Sequence, residues 1–131
     1  MKLCILGGGL TGLSLAKSLV KKGLSIDIFL NKKKSDFNRS RTIGISNDNL
    51  MYFNKEILDI KKLSWDIKKI EIYSDNLRNE KILNFENNNK TVFAIIRNYQ
   101  LQSNLLKSLK KDKLCKFKQN FDYNLSNLKK Y

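Results

Sequence analysis

Histidine is absent from all 131 residues, and so is proline. The first absence removes His-based nucleophilic triads, histidine general bases and histidine-containing metal sites. The second leaves no proline-rich linker to mark a domain boundary. Cysteine occurs only at Cys4 and Cys115, in apolar strand-like segments far apart in the chain. Both read as reduced core residues of the kind cytosolic proteins carry. Their strands could be neighbours in a parallel sheet, which leaves a disulfide open. Acidic residues are scarce too, 12 against 26 lysines and arginines, for a formal charge of +14. That charge invites a nucleic-acid or acidic-membrane partner. The lysines, however, are scattered among asparagines and isoleucines, with few aromatics interleaved as a base-stacking surface requires. No nucleic-acid role is expected. The expected location is cytoplasmic, with weak peripheral attraction to an acidic surface such as the inner membrane. No apolar run approaches the ~20 residues of a membrane-crossing helix. The first apolar strand breaks at three glycines without a cleavage region, unlike a signal peptide.

Of only six glycines, four fall within residues 7–12. A short apolar strand (residues 3–6) runs into Gly7-Gly8-Gly9-Leu10-Thr11-Gly12, which fits G-x-G-x-x-G, and an amphipathic helix follows at once. This is the dinucleotide-binding fingerprint in the context it requires. Gly7 permits the sharp turn out of the strand. Gly9 lacks the side chain that would hold a pyrophosphate off the backbone, and Gly12 lets helix and strand pack closely. The free N–H groups at the helix start, around Leu10 and Thr11, face the phosphates together with the positive end of the helix dipole. Leu13, Ala16, Leu19 and Val20 form one apolar stripe, and Gly23 sits where a left-handed cap belongs. Leu24, Ile26, Ile28, Phe29 and Leu30 then read as a buried strand, completing a β-α-β unit of about 30 residues.

One position breaks the pattern. A site for a free ribose usually places Asp or Glu at the end of the second strand, and here that position is Leu30, followed by Asn31. Asp27 lies at an odd offset and therefore on the opposite strand face. Asn31 offers one neutral hydrogen bond. The lost charge-assisted bond corresponds to roughly 1.5–3 kcal/mol, a ten- to hundred-fold loss in affinity. Lys32, Lys33 and Lys34 would suit a 2′-phosphate, as in NADP sites. The simpler reading, a solvated loop, is preferred.

Further along, Asn47 or Asp48 can cap a helix carrying Leu50, Met51 and Phe53. Residues 58–65 read as a connecting segment. Ile67, Ile70, Ile72 and Tyr73 suggest a strand, Asp75 and Asn76 a turn, and Ile82, Leu83 and Phe85 a second strand of a hairpin. An apolar strand is expected over residues 91–96 and a helix over residues 98–110, with Leu101, Leu105 and Leu109 on one face. Residues 114–117 suggest a last strand parallel to the first, and the tail from Phe121 alternates only weakly.

The order of motifs resembles the N-terminal portion of FAD-dependent aromatic hydroxylases (flavoprotein monooxygenases), particularly the ubiquinone-biosynthesis hydroxylase group. Four patches carry it: residues 3–12 with their helix and Gly23; Arg41-Thr42-Ile43-Gly44-Ile45-Ser46; Ile70-Glu71-Ile72-Tyr73-Ser74-Asp75; and Ala94-Ile95-Ile96-Arg97-Asn98-Tyr99-Gln100-Leu101. Only the first is specific by itself. The resemblance implies a Rossmann-like, three-layer α/β domain portion over residues 1–131, with a parallel sheet and an inserted β-hairpin. Residues 66–90 would open a substrate-domain insertion. It also implies that Gly7, Gly9 and Gly12 hold the FAD pyrophosphate, that Arg41 pairs with phosphate, and that Asn98 or Gln100 approaches the cofactor. NAD(P)H would be the electron donor and an aromatic small molecule the substrate. The family continues much further, and its later Gly-Asp segment has no counterpart here. The resemblance therefore implies a chain that is truncated or completed by a second, C-terminal chain, and that is not catalytic alone. An NADP-binding domain and a non-catalytic Rossmann remnant are the competing expectations.

Overall fold

The computed structural model describes residues 2–30, 39–76, 78, 80–88 and 90–119. Asn31, Lys32, Lys33, Lys34 and the tail from Phe121 lie outside them. Strand β1 (Lys2–Leu6), helix α1 (Leu10–Lys21) and strand β2 (Ser25–Leu30) form the expected unit, with Leu3 opposite Ile26 and Ile5 opposite Ile28 in a parallel pair. The helix stops at Gly23, whose φ is +80°. The Gly23 N–H donates to the Val20 carbonyl at 2.9 Å and the Leu24 N–H to that of Leu19 at 3.2 Å, a Schellman ending.

Two further elements complete this half. Helix α3 (Asn98–Lys110) runs over the span its leucine spacing predicts, and strand β8 (Cys115–Gln119) follows it. The sheet order is β1-β2-β8, all parallel. Leu13, Ala16 and Val20 of α1 meet Leu101, Leu105 and Leu109 of α3 over Ile5, Ile26, Ile28 and Cys115 in one buried core. Each fully buried leucine of that stripe contributes on the order of 1.5–3 kcal/mol.

The last strand thus pairs with β2 and not with β1. Cys4 lies opposite Asp27 and Cys115 opposite Ile26, so the whole of β2 separates the two thiols. Two strand spacings are roughly 9.5 Å, beyond disulfide reach, and both cysteines are free. Asp27 does occupy the face opposite the core, as its offset requires. Its side chain is nevertheless only 1% exposed, with Lys2 Nζ at 2.8 Å and Lys118 Nζ at 2.6 Å. One carboxylate thereby ties all three parallel strands together.

A second, antiparallel sheet has the order β3-β7-β4, formed by β3 (Thr42–Ser46), β7 (Phe93–Arg97) and β4 (Ser64–Ile67). Ala94 and Ile96 of its central strand join the same core. Helix α2 (Asn47–Tyr52) follows β3 directly and continues as a π-helical turn, Phe53–Ile57. Its N-cap is Ser46, whose Oγ accepts the Asn49 N–H at 3.4 Å, not Asn47 or Asp48. The isoleucine-rich stretch expected as one strand is two, broken at Lys68. Its first part, β4, pairs with β7; its second, β5 (Lys69–Tyr73), pairs with β6 (Lys81–Glu86) in the expected hairpin.

Candidate functional site

The glycine loop lies at the carboxyl end of the parallel sheet, where open α/β folds bind ligands. The Gly7 N–H donates to the Phe29 carbonyl at 2.9 Å, extending the ladder one residue past β1 before the chain turns at φ +104°. The motif's other two glycines then differ in what they face. A Cβ on Gly12 would stand 2.6 Å from the Gly7 carbonyl oxygen and 3.3 Å from Ile5 Cγ2, so Gly12 is required by the chain's own packing. A Cβ on Gly9 would meet nothing within 4 Å. Gly9 keeps open a space that no described residue fills.

Gly9 is also the N-cap of α1, with no side-chain cap and no acid in the first turn. The first intrahelical bond runs from the Leu13 N–H to the Gly9 carbonyl at 3.0 Å. The N–H groups of Leu10, Thr11 and Gly12 therefore have no partner within the helix, and the dipole adds about half a positive charge there. This arrangement suits an anion such as a pyrophosphate.

Helix α3 brings the other candidates towards this loop. Gln102 Nε2 donates to the Gly8 carbonyl at 2.8 Å. One turn earlier on the same helix, the Asn98 N–H donates to the Arg41 carbonyl at 3.0 Å. The order Gly8, Gln102, Asn98, Arg41 is thus a chain of contacts. Asn98 Oδ1 is buried without a hydrogen-bond partner among the described residues, a state that costs about 1–3 kcal/mol until a donor arrives. A polar ligand edge fits that vacancy in hydrogen bonding. Arg41 itself is exposed, directly before β3, and among the described residues forms no ion pair with a carboxylate. For Gln100, the alternative to Asn98, the backbone carbonyl accepts from Asn104 Nδ2 at 2.8 Å.

Leu30 is half-buried and folds over the loop, since a Cβ on Gly8 would run into Leu30 Cδ2. The position that carries an acid in a ribose site is thus apolar and packed on the glycines. Neither cysteine provides a reactive thiol. Burial, then Asp112 and Asp27, push Cys115 up to about 11. Burial and Asp27 also raise Cys4. An open cavity of about 350 Å³, lined by Lys2, Ser25, Asp27, Lys113, Leu114 and Lys116, sits at the opposite, amino end of the parallel strands, away from the glycine loop. Among the described residues no cluster of His, Cys, Asp and Glu could hold a metal ion, and no helix is long and apolar enough to cross a membrane.

The sequence reading missed Gln102. The available signal was its place four residues after Asn98, beside the leucine stripe of α3, where a polar side chain shares a helix face with a candidate ligand residue.

No family model matches the sequence, and no curated protein matches it. Solved structures do. p-Nitrophenol 4-monooxygenase PnpA from Pseudomonas putida superposes with a TM-score of 0.71 at 16% identity, over 89% of this chain and 31% of that one. A tetrameric 2-methyl-3-hydroxypyridine-5-carboxylic acid oxygenase gives 0.69 at 18% identity, over 91% of this chain and 31% of that one. Klebsiella pneumoniae HpxO, crystallised with FAD and uric acid, gives 0.65 at 19% identity, over 89% of this chain and 30% of that one. The chain spans under a third of the length of these structures. Its fold is an α/β, Rossmann-like portion of the fold these monooxygenases have.

Proposed function

We propose that this chain binds FAD at its glycine loop and forms the FAD-binding part of a flavin-dependent monooxygenase acting on an aromatic ring. The observation that carries the reading is the contrast between Gly12, whose missing side chain the fold requires, and Gly9, whose missing side chain leaves a space that no described residue fills. FAD, when bound, supplies the oxygen and hydride chemistry, and the protein's part is to bind, orient and shield it. The N–H groups of Gly9, Leu10, Thr11 and Gly12 receive the pyrophosphate. Arg41 neutralises phosphate charge. Asn98 Oδ1 accepts from a polar edge of the cofactor, and Asn31 is proposed as the neutral contact to the ribose. NAD(P)H is the proposed electron donor, and a ubiquinone precursor is the specific substrate candidate. Weak peripheral attachment to an acidic membrane would follow from the net charge of +14.

Titrating the chain with FAD tests this through quenching of flavin fluorescence. Saturable, micromolar binding supports the reading; a folded chain that leaves free flavin unchanged refutes it. Leu30 favours one competitor, an NADP site without the ribose acid. Tighter binding of NADPH than of FAD in the same assay would select it.

A further inference from the structure

We infer that Gln102 is a positioning residue that fixes the orientation of the Gly8–Gly9 peptide, so that the loop presents a donor and not an acceptor to its ligand. The inference rests on the nucleotide reading above and adds what sets the loop's polarity. The peptide between Gly8 and Gly9 has no Cβ on either side to resist rotation, so two orientations are sterically open to it. In a trans peptide the C=O and N–H point to opposite sides. One orientation turns the Gly9 N–H to the open space at the helix start; the other turns the Gly8 carbonyl there, where it would repel phosphate.

In this structure the Gly8 carbonyl is held by Gln102 Nε2 at 2.8 Å, across 94 residues of sequence. Only the amide nitrogen of that side chain can donate to a carbonyl. Gln102 is itself held, because its neighbour Leu101 and, three residues on, Leu105 are buried in the core. Gly9 has φ −74°, a value any residue adopts, and no hydrogen bond from its N–H occurs among the described residues. The orientation is therefore set by the core through α3 and needs no ligand. A loop preorganised in this way binds more tightly than one that must turn on binding.

Two variants test it, Gln102→Leu, which removes the donor, and Gln102→Glu, an isostere that donates only when protonated. The probe is ADP, which carries the pyrophosphate, followed by calorimetry beside thermal melts and amide NMR of the ligand-free chain. Gln102→Leu is expected to weaken ADP roughly five- to twenty-fold, about one hydrogen bond's worth, with an unchanged melting midpoint and a shifted or broadened Gly9 amide. Gln102→Glu should show the same Gly9 change at neutral pH and lose it on acidification. An unaltered Gly9 amide in both variants overturns the inference. So does a melting midpoint that falls in step with affinity, which would make Gln102 an ordinary structural prop. A wild-type chain that binds no ADP removes the nucleotide reading, yet the Gly9 comparison in ligand-free samples still decides whether Gln102 holds the peptide.

Discussion

The β1-α1-β2 unit and the β5–β6 hairpin are both regular, paired structures, and they use their apolar residues in opposite ways. In the first, Leu13, Ala16 and Val20 of α1 and Leu101, Leu105 and Leu109 of α3 are buried to 4% exposure or less, and what remains open is backbone N–H at a helix start. In the hairpin, Ile70 and Ile72 pair with Phe85 and Leu83 on one face. Ile72, Leu83 and Phe85 are 43%, 48% and 47% exposed, respectively. Strand pairing satisfies the backbone groups between the two strands and leaves these apolar side chains largely open to solvent. A lone two-stranded hairpin is marginal in water. The first region is built to meet a small anion; the second has the surface of an element stabilised by whatever covers it.

Truncating the two regions should break the comparison most sharply. Leu105→Ala should lose about 2–5 kcal/mol in chemical denaturation, as core leucines do. Phe85→Ser on the open face should change stability by no more than about 0.5 kcal/mol. Equal losses would mean that the hairpin face is covered in solution. Next in size, Leu30→Glu should tighten FAD ten- to hundred-fold, the ~1.5–3 kcal/mol of a charge-assisted bond, in a fluorescence titration. No gain would place the ribose elsewhere.

The two glycines of the motif should separate stability from binding. Gly12→Ala drives a methyl against a backbone oxygen and should destabilise the fold by about 1–3 kcal/mol. Gly9→Ser should leave stability equal or a few tenths of a kcal/mol higher, since serine is a good N-cap, while weakening FAD at least ~tenfold. Parallel losses in both would remove the distinction. The smallest effect belongs to the hairpin's charges. Glu71 accepts from Lys81 and is paired with Lys69 at 3.0 Å, and these lysines, Lys81 first, hold its carboxyl down at about 2. A carboxylate lowered on folding stabilises above its unfolded value and loses that contribution as pH falls towards about 2. The pair is solvated, so Glu71→Gln should flatten only the acid limb of a hairpin melting profile, followed through Tyr73.

The sequence was most readable where spacing and burial reinforce each other over several turns. The leucines at 101, 105 and 109 marked α3 at both ends, and the glycine pattern with its flanking strand marked the loop and the Schellman ending at Gly23. What stayed hidden depends on partners distant in sequence. Lys68 is a single polar residue in an isoleucine-rich run, and only pairing with β7 on one side and β6 on the other shows that two strands meet there. Asp27 looked misplaced until Lys2 and Lys118 were brought over it. Gln102 is marked in the sequence only by its place four residues after Asn98, and its role shows once Gly8 is brought beside it. Arg41 and Asn98 were singled out through resemblance, and their adjacency comes from the β3–β7 register that sets Thr42 opposite Arg97. Asn31 and Lys32, Lys33 and Lys34 lie outside the described residues.

The most direct measurement is an amide NMR titration of the intact chain with FAD, because it reports both regions at once. The expected result is that Gly7, Gly9, Leu10, Thr11, Gly12, Asn98 and Gln102 shift together and saturate, while residues 70–72 and 82–85 of the hairpin stay unchanged. Shifts confined to the lysine-lined amino end of the sheet, around Lys2, Lys113 and Lys116, would contradict it, as would a spectrum that FAD leaves untouched.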